Sequence, residues 1–160
     1  MKHSKESIVS LLSEIPDPEI PVISISELGI LRAVEFEDEK VIVTITPTYS
    51  GCPAMRAIED EIKEILHQQG LENVEVKLVY SPVWTTDWMN EVAKEKLRKY
   101  GISPPGKRNL KNLISGDRQV ACPRCGSTDA KLISLFGSTA CKALYSCNAC
   151  REPFDQFKCH

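Results

Sequence analysis

The sequence is poor in the features that most directly give away a function. Aromatic residues fill only 6% of its 160 positions, so there are few rings on which bases could stack. Charge of one sign is also missing. Against 22 Asp+Glu stand 20 Lys+Arg, a net charge of -2, which provides no whole-protein field for gripping nucleic acid or an anionic membrane. Apolar runs are a few residues long, too short to cross a bilayer. No apolar stretch behind Met1-Lys2-His3-Ser4-Lys5-Glu6 could serve as a secretory signal. The expectation is a soluble, cytoplasmic protein with neither a nucleic-acid nor a membrane partner. Ready-made catalytic constellations are absent as well. His3, His67 and His160 lie far apart, and there is no phosphate-binding glycine loop, nucleophile elbow or two-histidine metalloprotease helix.

Cysteine is what the chain has in excess, and it is placed unevenly. Cys52 stands alone, whereas Cys122, Cys125, Cys141, Cys147, Cys150 and Cys159 fall in the last 39 residues. In a reducing compartment, clustered thiols more often hold metal than form disulfides. With 42% hydrophobic residues in 17.9 kDa, the chain can build a core of about 100 residues plus a small appendage. Composition thus predicts a larger body with one thiol and a metal-stapled tail.

Periodicity predicts a helix over residues 4–15, with Ile8, Leu11, Leu12 and Ile15 on one stripe and Pro16 as its stop. Asp17-Pro18-Glu19-Ile20-Pro21 cannot be helical. Alternation then predicts a hairpin, Ile30–Glu37 and Lys40–Thr46, around Asp38-Glu39. A second helix runs from Pro53 to Gly70, with Met55, Ile58, Ile62, Ile65 and Leu66 inward. A third strand sets Val74, Val76, Leu78 and Tyr80 on one face. Thr86 or Asp87 is expected to cap a third helix that buries Met89, Val92, Ala93 and Leu97. The fold class is α/β (α+β), a small mixed sheet flanked by helices, plus a C-terminal zinc-ribbon domain. The domains are 1–100 for the body, 101–118 for a Pro- and Gly-flanked basic linker, with a short helical turn around Leu110–Ile114, and 119–160 for the tail.

The tail carries the strongest motif. Cys122-Pro-Arg-Cys125 and Cys147-Asn-Ala-Cys150 are two knuckles that can each aim two thiolates at one ion, and two knuckles complete a tetrahedron. Between them lie two short β-patterns, Lys131–Phe136 and Ala143–Tyr145, the arrangement of a zinc ribbon. Four soft thiolates in a closed site suit zinc and leave no open position for catalysis. A segment of about 40 residues cannot hold itself together by burial alone, so the metal supplies the missing free energy. A redox dithiol pair or unrelated buried thiols fit the spacing less well. Cys141, Cys159 and His160 are further candidate ligands, for a second site, for replacement of one knuckle ligand or for transient iron. Against that stands a plainer role for Cys141 as a small core residue. The tail has five basic against three acidic residues, which disfavours a nucleic-acid-binding ribbon.

In the body, Cys52 precedes Pro53 and so lies at or beside the cap of the second helix. Free N–H groups and the helix dipole there stabilise a thiolate, which predicts a pKa below the ordinary thiol value. Thr48, Tyr49 and Ser50 add hydroxyls near the same helix end. The residue is either a reactive thiol or a buried cap without chemistry. Asp17 and Glu19 are either a carboxylate pair or structural members of a proline-fixed loop.

Three segments carry a resemblance. Asp17-Pro18-Glu19-Ile20-Pro21-Val22, Glu27-Leu28-Gly29-Ile30 and Thr46-Pro47-Thr48-Tyr49-Ser50-Gly51-Cys52-Pro53 resemble the hallmark segments of the iron–sulfur-assembly-associated domain. That domain is shared by SufT-type bacterial assembly factors, a eukaryotic cytosolic assembly component and PaaD-type phenylacetate-degradation proteins. Tyr80–Trp88, Gly101–Pro105, Phe136–Tyr145 and the ending Glu152–His160 resemble the PaaD type in particular, nearly end to end. The resemblance implies a non-catalytic accessory component of the multicomponent phenylacetyl-coenzyme A epoxidase. Its partners would be the epoxidase reductase, with its flavin and iron–sulfur cluster, and/or the di-iron oxygenase subunit, with a homodimer left open. It implies structural zinc and a transient iron or iron–sulfur cluster as cargo. The family's reactive cysteine maps onto Cys52 and its acidic loop onto Asp17 and Glu19, and the resemblance adds weight to Cys141 and Cys159. The rival expectation is a stoichiometric structural subunit without thiol chemistry.

Overall fold

A computed structural model of the chain describes residues 3–106 and 119–158. The chain divides into two compact units, one ending at Met89 and one beginning at Asn90. Helix α3 and the strand after it therefore belong to the cysteine-rich unit, whereas the sequence pattern alone puts the boundary at residue 100. The expected turn around Leu110–Ile114 lies outside the described residues.

The first unit opens with α1 (Lys5–Leu12), whose N-terminus is capped by Ser4: its Oγ accepts the Ser7 N–H at 3.1 Å. Ile8 and Leu12 lie on its buried face, one helical turn apart. Strands β1 (Leu31–Glu37) and β2 (Lys40–Ile45) form the expected hairpin. Asp38 supports its tight turn in the left-handed region, φ 53°, which a short polar side chain tolerates. Strand β2 is central and pairs in parallel with β3 (Val74–Leu78). A parallel pair needs a long crossover, and α2 (Ala54–Gln68) provides it. Ala54, Met55, Ile58, Ile62 and Leu66 of α2 are buried, as are Val41, Ile42, Val43 and Ile45 of β2. The central strand is thus apolar on both faces. A single 3₁₀ turn, Thr86–Trp88, follows. Trp84, 2% exposed, is fixed ahead of it by its Nε1–H, which donates to the Leu28 carbonyl at 2.8 Å.

The second unit begins with α3 (Glu91–Lys99), capped by Asn90, whose Oδ1 accepts the Ala93 N–H at 2.7 Å. Its sheet has the order β4 (Ile102–Ser103), β7 (Pro153–Phe157), β6 (Lys142–Cys147), β5 (Ala130–Ser134). Strand β4 is parallel to β7, and the other neighbours are antiparallel. One cluster of its core joins Val120, Cys122, Ala143, Tyr145, Cys147 and Phe154, with the Tyr145 and Phe154 rings stacked 5.9 Å apart, and Ala93, Leu97, Ile102 and Phe157 are buried as well. Two of the six residues in that cluster, Cys122 and Cys147, belong to the four-cysteine group, so part of this core is built around the thiols.

Four local expectations are corrected. The cap of α3 is Asn90, because Thr85–Trp88 makes its own 3₁₀ turn first. Val92 is 58% exposed, since only Ala93 and Leu97 fall on the short helix's buried stripe. Strand β3 ends at Leu78, so Tyr80 lies beyond it and does not continue the face of Val74, Val76 and Leu78; Leu78 and Tyr80 are both exposed. Ile102 and Ser103, expected in the linker, are buried and paired with Asp155 and Gln156 of β7.

Candidate functional site

The two knuckles are built by backbone geometry before any metal is considered. In the first, the Gly126 N–H donates to the Cys122 carbonyl at 2.9 Å and the Cys122 N–H to the Ser127 carbonyl at 2.8 Å. Gly126 takes φ 76° here, which suits a residue without a Cβ. In the second, the Cys147 N–H donates to the Glu152 carbonyl at 2.9 Å, and Arg151 takes the left-handed conformation, φ 63°. Asn148 holds the knuckles in register, its Nδ2 donating to Asp129 Oδ1 at 2.8 Å and its backbone N–H to the Asp129 carbonyl at 2.9 Å.

These turns bring the sulfurs of Cys122, Cys125, Cys147 and Cys150 within 4.8 Å of one another. Cys122 and Cys150 are 3.8 Å apart, and Cys125 and Cys147 are 3.5 Å apart. A zinc ion with four thiolates at about 2.3 Å requires sulfur–sulfur edges of about 3.8 Å, so the donor set fits zinc in number, chemistry and size. The Cys150 N–H donates to Cys147 Sγ at 3.5 Å. That bond, helped by the Cys125 thiol, lowers the Cys147 pKa to about 7. The Glu152 N–H pulls Cys150 down, but desolvation and the Cys147, Cys125 and Cys122 sulfurs together push it up to about 12. Four sulfurs this close cannot all ionise without a cation between them.

Of the additional candidate ligands, Cys141 is buried at 3% exposure, with its sulfur 2.9 Å from Thr139 Oγ1. Cys159 and His160 lie outside the described residues. Cys141 is not drawn into the four-thiol group.

In the first unit, Cys52 sits one position ahead of Pro53, which occupies the cap of α2, and is 9% exposed. The expectation of a lowered pKa is overturned. Burial pushes the thiol up and prevails over the Ala54 N–H, which favours the thiolate as the helix-end geometry predicted. The Glu19 charge raises it further, and hydrogen bonding to Tyr49 and Thr48 only partly offsets this. The structure therefore brings Cys52, Glu19, Tyr49 and Thr48 together. Asp17 does different work: its Oδ1 accepts the Glu19 N–H at 2.9 Å and the Ile20 N–H at 2.8 Å, a buried carboxylate that shapes the loop carrying Glu19. Sequence reasoning missed two buried hydroxyls, Thr46 Oγ1 and Thr86 Oγ1, which have no hydrogen-bond partner among the described residues. No sequence signal marks them, since an unsatisfied threonine looks like any strand or turn threonine.

Comparison with known proteins agrees with this two-part layout. Residues 5–78 match the family described as iron-sulfur cluster assembly protein, and residues 106–158 match the PaaD zinc beta ribbon domain. The chain is 52% identical over 152 residues to the D component of the "Putative 1,2-phenylacetyl-CoA epoxidase" of Escherichia coli (strain K12), covering 95% of this chain and 91% of that protein. This chain belongs to the PaaD family. Its first unit alone is 40% identical over 80 residues to the Fe-S protein maturation auxiliary factor SufT of Staphylococcus aureus (strain USA300), which spans 49% of this chain and 90% of that protein. The fold of that part is also seen in the crystal structure of a domain of unknown function, DUF59, from Bacillus anthracis. There the identity is 28% and the TM-score 0.53, over 58% of this chain and 90% of the other. Among the described residues of this PaaD family member, no helix is long and apolar enough to cross a membrane.

Proposed function

We propose that the chain is a cytoplasmic, non-catalytic accessory subunit of a 1,2-phenylacetyl-CoA epoxidase system, assisting assembly of a metal centre in a partner protein. The observation that carries this reading is the union, in one chain, of an iron–sulfur assembly domain and a PaaD ribbon, over 95% of its length similar to an epoxidase component. Zinc held by Cys122, Cys125, Cys147 and Cys150 is structural, because a closed four-thiolate set offers no site for substrate. Iron or a cluster is cargo, and Cys52 is its contact. A thiol kept protonated by burial and by Glu19 is quiet at rest. An arriving cation reverses both effects, since its charge is attracted by Glu19 and stabilises the thiolate. The thiol proton leaves as the metal–sulfur bond forms.

A second reading, a stoichiometric structural subunit without thiol chemistry, is favoured by the same upward shift of Cys52, which leaves little thiolate at neutral pH. Co-expression of the epoxidase reductase with and without this chain separates the two. A reductase with more iron and acid-labile sulfide in the presence of the chain supports assembly; equal occupancy rejects it in favour of the structural role.

A further inference from the structure

The cysteine-rich unit carries a cleft of about 340 Å³ that borders the four-thiol group through Cys122 and extends from there to the end of α3. One wall is the end of α3, with Arg98, Lys99 and Tyr100; the other is formed by the knuckle loops, with Arg124 and Glu152, and Phe154 also lines the space. Among the described lining residues the charge is unbalanced, three cations against one carboxylate. Arg98 is engaged by Glu95 on its own helix, and Arg124 by Glu152 at 2.8 Å. Lys99 has no ion-pair partner among the described residues.

The size of the cleft stands at the lower end for ligand sites, enough for a few side chains and too little for a large cofactor. Guanidinium groups recognise carboxylates through paired hydrogen bonds, and Tyr100 and Phe154 add aromatic surface beside them. Some of this positive charge compensates the carbonyl end of α3 and the thiolates behind Cys122. That role alone would make the cations matter for stability and not for binding.

We propose that this cleft seats an acidic segment of a partner polypeptide, its carboxylates on Lys99, Arg98 and Arg124 and an apolar side chain against Tyr100 and Phe154. The proposal does not depend on what the partner gains from the contact, so it stands or falls separately from the assembly reading.

The test uses the full-length, zinc-loaded, ¹⁵N-labelled protein, titrated with the capped tetrapeptide EFEE, its uncharged counterpart QFQQ, and inorganic phosphate. EFEE should shift the amide resonances of residues 98–101 and 152–154 saturably, with QFQQ about tenfold weaker. Lys99→Glu, checked for unchanged zinc content and amide spectrum, should weaken EFEE about tenfold. Glu152→Gln, which frees Arg124, should tighten it. Loss of stability cannot produce both directions. Overturning results are no saturable shift at these positions, equal binding of QFQQ, or the same shifts at equal affinity from phosphate, which would make the cleft a small-anion site. Failure of Glu152→Gln to tighten binding would reject the proposal even if Lys99→Glu did not fold.

Discussion

Cys125 and Cys147 stand on different knuckles, 22 positions apart in the chain, with their sulfurs 3.5 Å from one another. Neutral thiols tolerate such proximity, but four thiolates this close need a cation between them, so ionisation of the set, metal and ribbon should be inseparable. Purified protein should contain about one zinc per chain. Cys147→Ser should lose that zinc and the amide-exchange protection of β5, β6 and β7 together. Protection of β1, β2 and β3 should survive, because their core of Val34, Val43, Ile58 and Ile62 holds no metal ligand. A ribbon that stays protected after chelation would show that its apolar core suffices.

Trp84 supplies a second test, in the other unit. Its indole is 2% exposed and donates to the Leu28 carbonyl across 56 positions of chain. Trp84→Phe keeps most of the apolar volume and removes the donor. It should therefore cost about 1–3 kcal/mol, the penalty of leaving a buried carbonyl unpaired plus a small cavity. Denaturant unfolding monitored on the first unit measures this. A change below about 0.5 kcal/mol would mean that water replaces the indole at Leu28.

What was legible in the sequence follows from the range of the forces involved. The β1–β2 hairpin and the stripe on α2 depend on neighbours within a few residues, and both are present close to their expected bounds. Knuckle spacing is equally local, which is why Cys122, Cys125, Cys147 and Cys150 are recognisable as a ligand set from their spacing alone. Strand β4 was not legible: Ile102 and Ser103 become a strand only because β7, some fifty positions on, offers an unpaired edge. The environment of Cys52 was hidden for a related reason. Its helix end was visible in Cys52-Pro53, but the burial and the Glu19 charge that overcome the helix end come from elsewhere in the fold. For Asp17 the sequence left a carboxylate pair and a structural loop role equally open, and the hydrogen bonds to the Glu19 and Ile20 N–H groups give it the loop role.

Gly29 marks another long-range constraint. It takes φ +78°, and a Cβ there would stand 3.0 Å from the Trp88 Cβ. Gly29→Ala therefore meets two costs, the left-handed conformation at about 1–2 kcal/mol and displacement of Trp88 from beneath the Arg32 guanidinium, which lies 3.9 Å from the ring. Destabilisation of about 2 kcal/mol or more is expected, with a change in Trp88 fluorescence. Gly51→Ala, also at positive φ but with nothing within 4 Å of the added carbon, should cost only the conformational part. Equal losses in the two variants would show that Trp88 gives way freely.

Burial and the Glu19 charge hold the folded Cys52 thiol above its ordinary value. Alkylation of folded protein at neutral pH should thus be slower than that of an unfolded control, and its rate should climb at more alkaline pH. Cys141→Ser in a zinc-loaded protein, with Cys159→Ser beside it, isolates the signal. Glu19→Gln removes the charge that adds to the effect of burial, so the rate profile should move to lower pH, whereas Asp17→Asn should act mainly on stability through the loop. The linkage has a definite sign. Because folding raises this pKa, the contribution of the neutral thiol is fully present below the unfolded value and is lost as pH rises through the folded one. The first unit should therefore weaken in the alkaline range, and Cys52→Ala should flatten that dependence. A Glu19→Gln profile identical to the parent would remove Glu19 from the thiol's environment. If Glu19→Gln and Cys52→Ala both fold and both leave reductase cluster content unchanged on co-expression, the shifted thiol is a packing feature and the structural-subunit reading prevails.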